Sequence, residues 1–488
     1  MIIHLNDKTD SVKENYIQSL VLLYMPCETF SKEKDEGRHV YVDAYAEDGK
    51  YTVCSKIVIS DRTEECTVSE KIDESLKLQS KNLIGRTFIS AAEKIFGYKS
   101  PWGILTGIRP AKLAADYLSE LSPEQVCDIL EKQYLVSPEK AKACVKVAEN
   151  EMRLVRNMEK DSCSLYISIP FCPSKCRYCS FVSASTPRLL SMIPEYVDAL
   201  CAELTDISET VRELGLTLKT IYIGGGTPAV LTEELLKKLL FHVNASFDLG
   251  TVEEFTFEAG RPDCITKEKL IIAKESGAGR ISVNTQTTND DILASVGRKH
   301  SFSDYAACMK MAKEIGFDCI NTDLIAGLPG ESYESFCKSV RDVIAEGADD
   351  ITVHSFTLKR SSEYKTQKSA GIDSNSITAS DMVSYSAKAL GEGGYSPYYM
   401  YRQKNTVGNL DNTGYSLPGK ECLYNIYMMG EYHTVFAAGA GAVTKYVSRD
   451  RTHIERDFKP KYPYEYLDGS KFSGFDKKFA LDFYSNIY

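Results

Sequence analysis

The stretch Leu165-Tyr-Ile-Ser-Ile-Pro-Phe-Cys172-Pro-Ser-Lys-Cys176-Arg-Tyr-Cys179 constrains this chain more than any other. Its alternating apolar run, Leu165 to Ile169, reads as a strand that Pro170 ends. Three cysteines follow at once, spaced C-x3-C-x2-C. Three thiolates this close cannot all turn into a core, and no fourth ligand follows at a zinc-like C-x2-C spacing. Soft thiolates held in one loop suit an iron–sulfur cluster. Three ligands to a four-iron cube leave one iron open to a small molecule. A structural zinc site and three unrelated cysteines are the alternatives; the position between a strand and a helix favours the cluster.

The chain has 488 residues, room for two or three domains with sizeable cores. The start, Met-Ile-Ile-His-Leu-Asn-Asp, lacks the basic-then-apolar pattern of a signal peptide, and no apolar run approaches the ~20 residues that span a bilayer. Fifteen cysteines, many isolated among apolar residues, point to reduced thiols and a cytoplasmic location. A net charge of −10 argues against a nucleic-acid or anionic-membrane surface but leaves room for a local basic pocket.

Residues 1–160 read as an α+β accessory domain. His39–Ala46 and Tyr51–Ile59 alternate around Asp48-Gly49, a hairpin signal. A helical pattern runs from Ile72 to Phe96. The segment from Ser100 to Pro110, with the only tryptophan, breaks regular structure. Ser122-Pro-Glu-Gln and Ser137-Pro-Glu start two helices, the second expected to run to Glu159. Residues 161–390 change rhythm. Strands are expected at Leu165–Ile169, Thr220–Gly224, Glu254–Glu258, Arg280–Asn284, Cys319–Leu324 and Ile351–Phe356, with helices between them such as Thr232–Val243 and Tyr333–Glu346. Six βα units imply a parallel sheet, open or curled into a partial barrel, with the active site along the C-terminal strand ends, where the polar and glycine-rich motifs fall. Residues 391–488 are expected to cover the substrate side. Ala437-Ala-Gly-Ala-Gly-Ala442 reads as close backbone packing, since no strand–helix frame with a later acid makes it a dinucleotide loop.

The cysteine spacing, with Tyr178 before the last cysteine, resembles the signature of the radical S-adenosylmethionine (SAM) enzymes. On that reading the turn Gly224-Gly225-Gly226-Thr227-Pro228 looks like the edge that receives the amino group of SAM, although a tight βα turn would also use it. Glu258, closing an apolar strand, wants a cation or a donor. Arg298 is either that partner, in a structural pair, or meets the SAM carboxylate. Gln286 and Asp323 suit ribose hydroxyls, or cap and turn positions. His354 reads as a satisfied core histidine.

Taken together, Tyr166, the three cysteines, Tyr178, the glycine turn, Glu258, Gln286, Arg298 and Asp323 match in order the oxygen-independent coproporphyrinogen III oxidases, over roughly residues 165–357. The Trp102-Gly-Ile-Leu-Thr-Gly-Ile-Arg-Pro leader, the segment Tyr401-Arg-Gln-Lys-Asn-Thr-Val-Gly-Asn and the length resemble the HemZ-type branch of that family. The resemblance implies an α/β fold, a partial (β/α)6 barrel of the radical SAM type with an N-terminal α+β domain and a C-terminal cover. It implies a [4Fe-4S] cluster on Cys172, Cys176 and Cys179. Tyr166, Tyr178, Gly225, Gly226, Thr227, Glu258, Gln286, Arg298 and Asp323 would lie around SAM. The implied reaction turns two propionates of coproporphyrinogen III into vinyl groups, with a flavodoxin- or ferredoxin-type electron donor and a monomeric protein. Two departures stand out. Phe181 occupies a position where the well-studied oxidases add a cysteine. The related haem chaperones carry a His-Asn-x-x-Tyr-Trp motif where this chain reads Tyr401-Arg-Gln-Lys-Asn, without an imidazole for haem iron. Haem trafficking and radical chemistry on another tetrapyrrole are the alternative functions. For the substrate carboxylates, Lys359-Arg360 and Arg402 with Lys404 are the expected cations, Arg402 foremost among Tyr398, Tyr399 and Tyr401.

Overall fold

A computed structural model describes residues 1–9, 12–25, 28–32, 37–72, 76–179, 183–357, 372–403, 406 and 409–485. Phe181, Lys359, Arg360 and Lys404 lie outside the described residues.

Strands β1 (Ile2–Asp7), β2 (Arg38–Glu47), β3 (Lys50–Ile59) and β4 (Arg62–Lys71) form a sheet in that order. Asp48 and Gly49 both take positive φ, 49° and 71°, as a tight two-residue hairpin turn requires, and Glu47 pairs with Lys50 across it. Helix Leu76–Phe96 packs on β3 and β4, with Ser55 and Thr87 hydroxyls 2.7 Å apart in the buried seam. Ser122 caps its helix with both bonds of the capping box, as its sequence predicts. The helix capped by Ser137 stops at Val155, four residues short of the expected end.

The larger sheet is built on β5 (Ser162–Ile169), β6 (Thr217–Gly225), β7 (Glu254–Gly260), β8 (Arg280–Val283), β9 (Cys319–Ala326) and β10 (Asp350–Ser355). Each is parallel to the next, in chain order. This is a mixed α/β architecture around a large parallel sheet that does not close among the described residues. The C-terminal part enters the sheet at both edges. There, β11 (Ser396–Arg402) and β12 (Asp411–Ser416) extend it beyond β10. On the other side β13 (Thr434–Ala438) runs parallel to β5 and carries β14 (Val443–Val447) and β15 (Ile454–Phe458). Gly439, after β13, has φ 94°, and a Cβ there would lie 2.5 Å from the Tyr196 hydroxyl and 2.6 Å from the Ser168 carbonyl, so close packing explains this small-residue turn.

Alternation along the strands sorts the two faces. Leu165, Ile167, Ile221, Ile223, Phe255, Phe257, Ile281, Val283, Ile351 and Val353 join helix residues such as Leu200, Leu204, Leu236 and Leu240 in one apolar core. The intervening residues are polar: Ser164, Tyr166, Thr220, Tyr222, Glu254, Glu258, Arg280, Ser282, Asp350 and His354. Near the strand starts this inner face is plugged. Arg280 bridges Glu254 (3.2 Å) and Asp350 (2.8 Å) and donates to the Lys420 carbonyl. Glu254 also accepts the Leu423 and Tyr424 amides at 2.9 and 3.2 Å, holding the N-terminus of helix Leu423–Gly430 against the sheet. The strand ends opposite the plug carry the predicted motifs. No described helix is long and apolar enough to cross a membrane.

Candidate active site

The cysteine loop is clasped at its base: Cys172 N–H donates to Ala184 O (3.1 Å) and Ala184 N–H to Pro170 O (2.7 Å). The glycine turn after β6 grips it from one side, Gly226 and Thr227 amides donating to the Ile169 and Phe171 carbonyls, both at 2.8 Å. A Cβ at Gly226 would sit 2.5 Å from Phe171 O, so only glycine permits this approach. From another side Arg177 N–H donates to Val296 O (3.0 Å) and its guanidinium to Ser295 O (2.9 Å). That contact brings the segment with Arg298 up to the loop.

Cys172 and Cys176 are buried, Cys179 is half-buried, and no described cysteine forms a disulfide. Burial pushes the Cys172 thiol up to about 12; Thr227 Oγ1, 3.4 Å away, and Arg261 pull against this, while Cys179 and Cys176 add to it. The three thiols thus feel one another. Yet among the described residues no three His, Cys, Asp or Glu side chains converge on a single metal ion. The donors are all soft, and bound iron would supply the positive charge that buried thiolates lack.

Around the loop the predicted residues gather in two groups. Tyr178 is half-buried between the cysteines and Arg298; removal from water pushes its hydroxyl up and the Arg298 charge opposes this. Arg298, 7% exposed, donates to Asn284 O at 3.1 Å, and its Nε has no partner among the described residues. The second group is acidic. Glu258 is pushed up to about 8 by burial and then by Asp323, while the Tyr222 hydroxyl, 3.3 Å away, and the Gly225 amide pull it back. The structural Glu258–Arg298 pair is therefore not formed: Glu258 faces Tyr222 and Asp323 instead. Gln286 takes a positive φ of 75° and exchanges backbone bonds with β9, its N–H to Asp323 O and its O from Ile325 N–H, both 2.9 Å. Tyr166 lies near Glu258 and stacks with Tyr222 at 6.1 Å between centroids.

Three side chains escaped the sequence reading. Tyr222 shares the face of Gly224 by simple alternation and was legible as such; Tyr424, stacked on it at 4.7 Å, comes from a helix no local pattern ties to β6. His354 is corrected: its side chain is 28% exposed on the inner face, 3.7 Å from Asp323 and 3.4 Å from the Tyr401 hydroxyl, not sealed in the core. Arg261, three residues past Glu258, reaches the cysteine loop. Arg402 is also corrected. Its backbone and side chain bind Leu105, Gly107, Ile108 and Asn409, its guanidinium lies over Trp102 at 5.5 Å, and it is 5% exposed. Strand alternation turns it away from the face of Tyr401, so it cannot meet a substrate carboxylate.

The chain is similar to several known proteins. Residues 166–343 match the radical SAM superfamily model, whose members work with a [4Fe-4S] cluster and SAM. The chain is 38% identical over 396 residues to the oxygen-independent coproporphyrinogen-III oxidase-like protein HemZ of Bacillus subtilis, covering 80% of this chain and 78% of that protein. It is 39% identical over 201 residues to the heme chaperone HemW of Bacillus subtilis, 40% of this chain and 51% of HemW. The coproporphyrinogen III oxidase HemN of Escherichia coli superimposes with a TM-score of 0.47 at 21% identity, covering 61% of this chain and 67% of that structure. The long match to HemZ decides the family: this chain belongs to the HemZ-like coproporphyrinogen III oxidase family of radical SAM enzymes.

Proposed function

We propose that this chain converts coproporphyrinogen III to protoporphyrinogen IX without oxygen, in porphyrin biosynthesis in the cytoplasm. The observation that carries the reading is the inner face of the sheet, where the partly exposed Tyr166 and Tyr222 stack beside Glu258 and the partly exposed Tyr401 lies toward Asp323, which in turn faces Glu258. A flat macrocycle suits aromatic faces. Cys172, Cys176 and Cys179 would hold the cluster. Gly225, Gly226, Thr227 and Glu258 receive the SAM amino group, Arg298 its carboxylate, and Gln286 and Asp323 its ribose, with Tyr166 and Tyr178 framing the two ends. Bound there, cluster and SAM supply one-electron hydrogen abstraction. The chain's own residues hold a propionate β-carbon toward that chemistry and keep water out. Each event removes one hydrogen atom, one electron and carbon dioxide to leave a vinyl group. A flavodoxin- or ferredoxin-type donor starts it, and an external acceptor takes the last electron.

A second reading, haem carriage, is favoured by the HemW match and by His354, partly exposed on the inner face 3.7 Å from the Asp323 carboxylate. Anaerobic incubation of reconstituted protein with SAM, reductant and coproporphyrinogen III separates the two. The proposal expects protoporphyrinogen IX with SAM cleavage. SAM cleavage or haem binding that depends on His354, with coproporphyrinogen untouched, would sink it.

A further inference from the structure

Arg261 is a charged residue almost fully removed from solvent, 3% exposed, at the exit of β7. Neither its position nor its burial is needed to finish the strand. Its guanidinium is fixed by two parallel bonds to one carboxylate, Nε to Asp263 Oδ1 at 2.9 Å and Nη2 to Asp263 Oδ2 at 2.7 Å. This fork leaves Nη1 pointing the opposite way, and there it meets the cysteine loop. Nη1 donates to Ser174 Oγ at 2.9 Å and Ser174 O at 3.1 Å, and lies 3.7 Å from Cys176 Sγ. The pair is close to neutral as a whole, but it is oriented, with its positive end at the sulfur and its negative end turned away.

We propose that Arg261, held by Asp263, tunes the reduction potential of the cluster through the Cys176 sulfur. A donor and a positive charge beside a ligand sulfur favour the state that carries the extra electron, and hydrogen bonds to cluster sulfurs are among the levers that set potential. Lysine could supply the charge without the fork, so its effect should be partial. The inference rests on the assignment of the cluster to Cys172, Cys176 and Cys179, and the test keeps the two apart.

Wild type, Arg261→Met, Arg261→Lys and Asp263→Asn are reconstituted anaerobically. Iron and sulfide are counted, and the cluster is titrated with reductant under paramagnetic-resonance detection, without SAM or substrate. Arg261→Met should keep its iron and become at least tenfold harder to reduce, a fall of 59 mV for one electron. Arg261→Lys should lie between it and wild type. Asp263→Asn removes the opposing charge and should shift upward, a reversal of sign that a purely structural role in the loop would not produce. Arg261→Met with full iron and the wild-type potential would overturn the proposal. So would loss of iron in Arg261→Met together with a wild-type potential in Asp263→Asn. A wild-type protein that takes up no four-iron cluster fails the assignment of the cysteines, a different result from either.

Discussion

Glu258 shows what a single residue does when the chain brings two acids together. Asp323 lies far along the sequence, and each acid alone read as a ligand for SAM at a strand end; their mutual effect needs the fold. Burial and Asp323 raise Glu258 from its ordinary 4.5 to about 8. Below about 4.5 it is protonated folded or unfolded and changes nothing. Between 4.5 and 8 the unfolded chain releases the proton and the folded chain keeps it, so stability falls as pH rises through that window. Each tenfold gap in proton affinity is worth about 1.4 kcal/mol. Glu258→Gln in cofactor-free protein should therefore be the more stable protein at pH 8 by a few kcal/mol, the gap closing toward pH 4.5, in urea unfolding at a series of pH values. On the proposed role of Glu258 at the SAM amino group, the same variant should bind SAM about ten- to hundredfold more weakly, through loss of a charge-assisted contact. A variant no more stable at pH 8 would mean that Glu258 is ionised and already satisfied.

At the scale of elements, the βα region was legible because its strands are short apolar runs closed by glycine, proline or a polar residue. All six observed strands overlap their expected ranges, from β5 to β10. By contrast, β4 was not: Arg62, Glu64, Glu65, Glu70 and Lys71 give an edge strand the look of a loop, and charged edges discourage unwanted pairing. The cysteine loop is an element of a third kind, with no regular structure of its own. Its shape is imposed by the β6 turn, by its own base and by the segment before Arg298. The sequence showed the glycines and the cysteines as separate motifs; only the fold shows that one holds the other. Gly226→Ala should consequently act on iron before it acts on SAM. The new Cβ would meet backbone atoms of Phe171 at 2.5 and 2.9 Å, which cannot yield as a flexible side chain could. Overpacking of this kind costs about 1–3 kcal/mol. Iron and sulfide counts after reconstitution should drop while far-ultraviolet dichroism stays that of wild type. Full iron content would show that the loop tolerates displacement by the turn.

Over the whole molecule, the least legible feature is how its parts are joined, since such contacts link residues hundreds of positions apart and leave no periodic trace. The Trp102 leader and the Tyr401-Arg402 segment were two separate marks of resemblance. In the fold they are one joint. Trp102 Nε1 donates to Asp411 at 3.0 Å, Lys140 pairs with the same carboxylate at 2.6 Å, and Arg402 lies over the indole while binding Asn409 at 2.6 Å. Asn409 in turn donates to Ser100 at 3.2 Å, and Asn150 to Pro397 O at 2.8 Å. Burial holds the Arg402 guanidinium down to about 10, against the pull of Asp411, so this charge is maintained by its contacts rather than by water. Arg402→Ala should thus loosen the seam between the segment of residues 100–109 and β11 at the edge of the large sheet, not weaken substrate binding. The loss of its charge-assisted bonds should cost about 1.5–3 kcal/mol. Trp102 is the only tryptophan in the chain and is fully buried, so its fluorescence reports this seam directly. In denaturant, the emission of Arg402→Ala should shift to the red at a lower concentration than that of wild type, with the concentration of coproporphyrinogen needed for turnover unchanged. A variant with wild-type tryptophan unfolding and a raised substrate requirement would instead return Arg402 to the pocket.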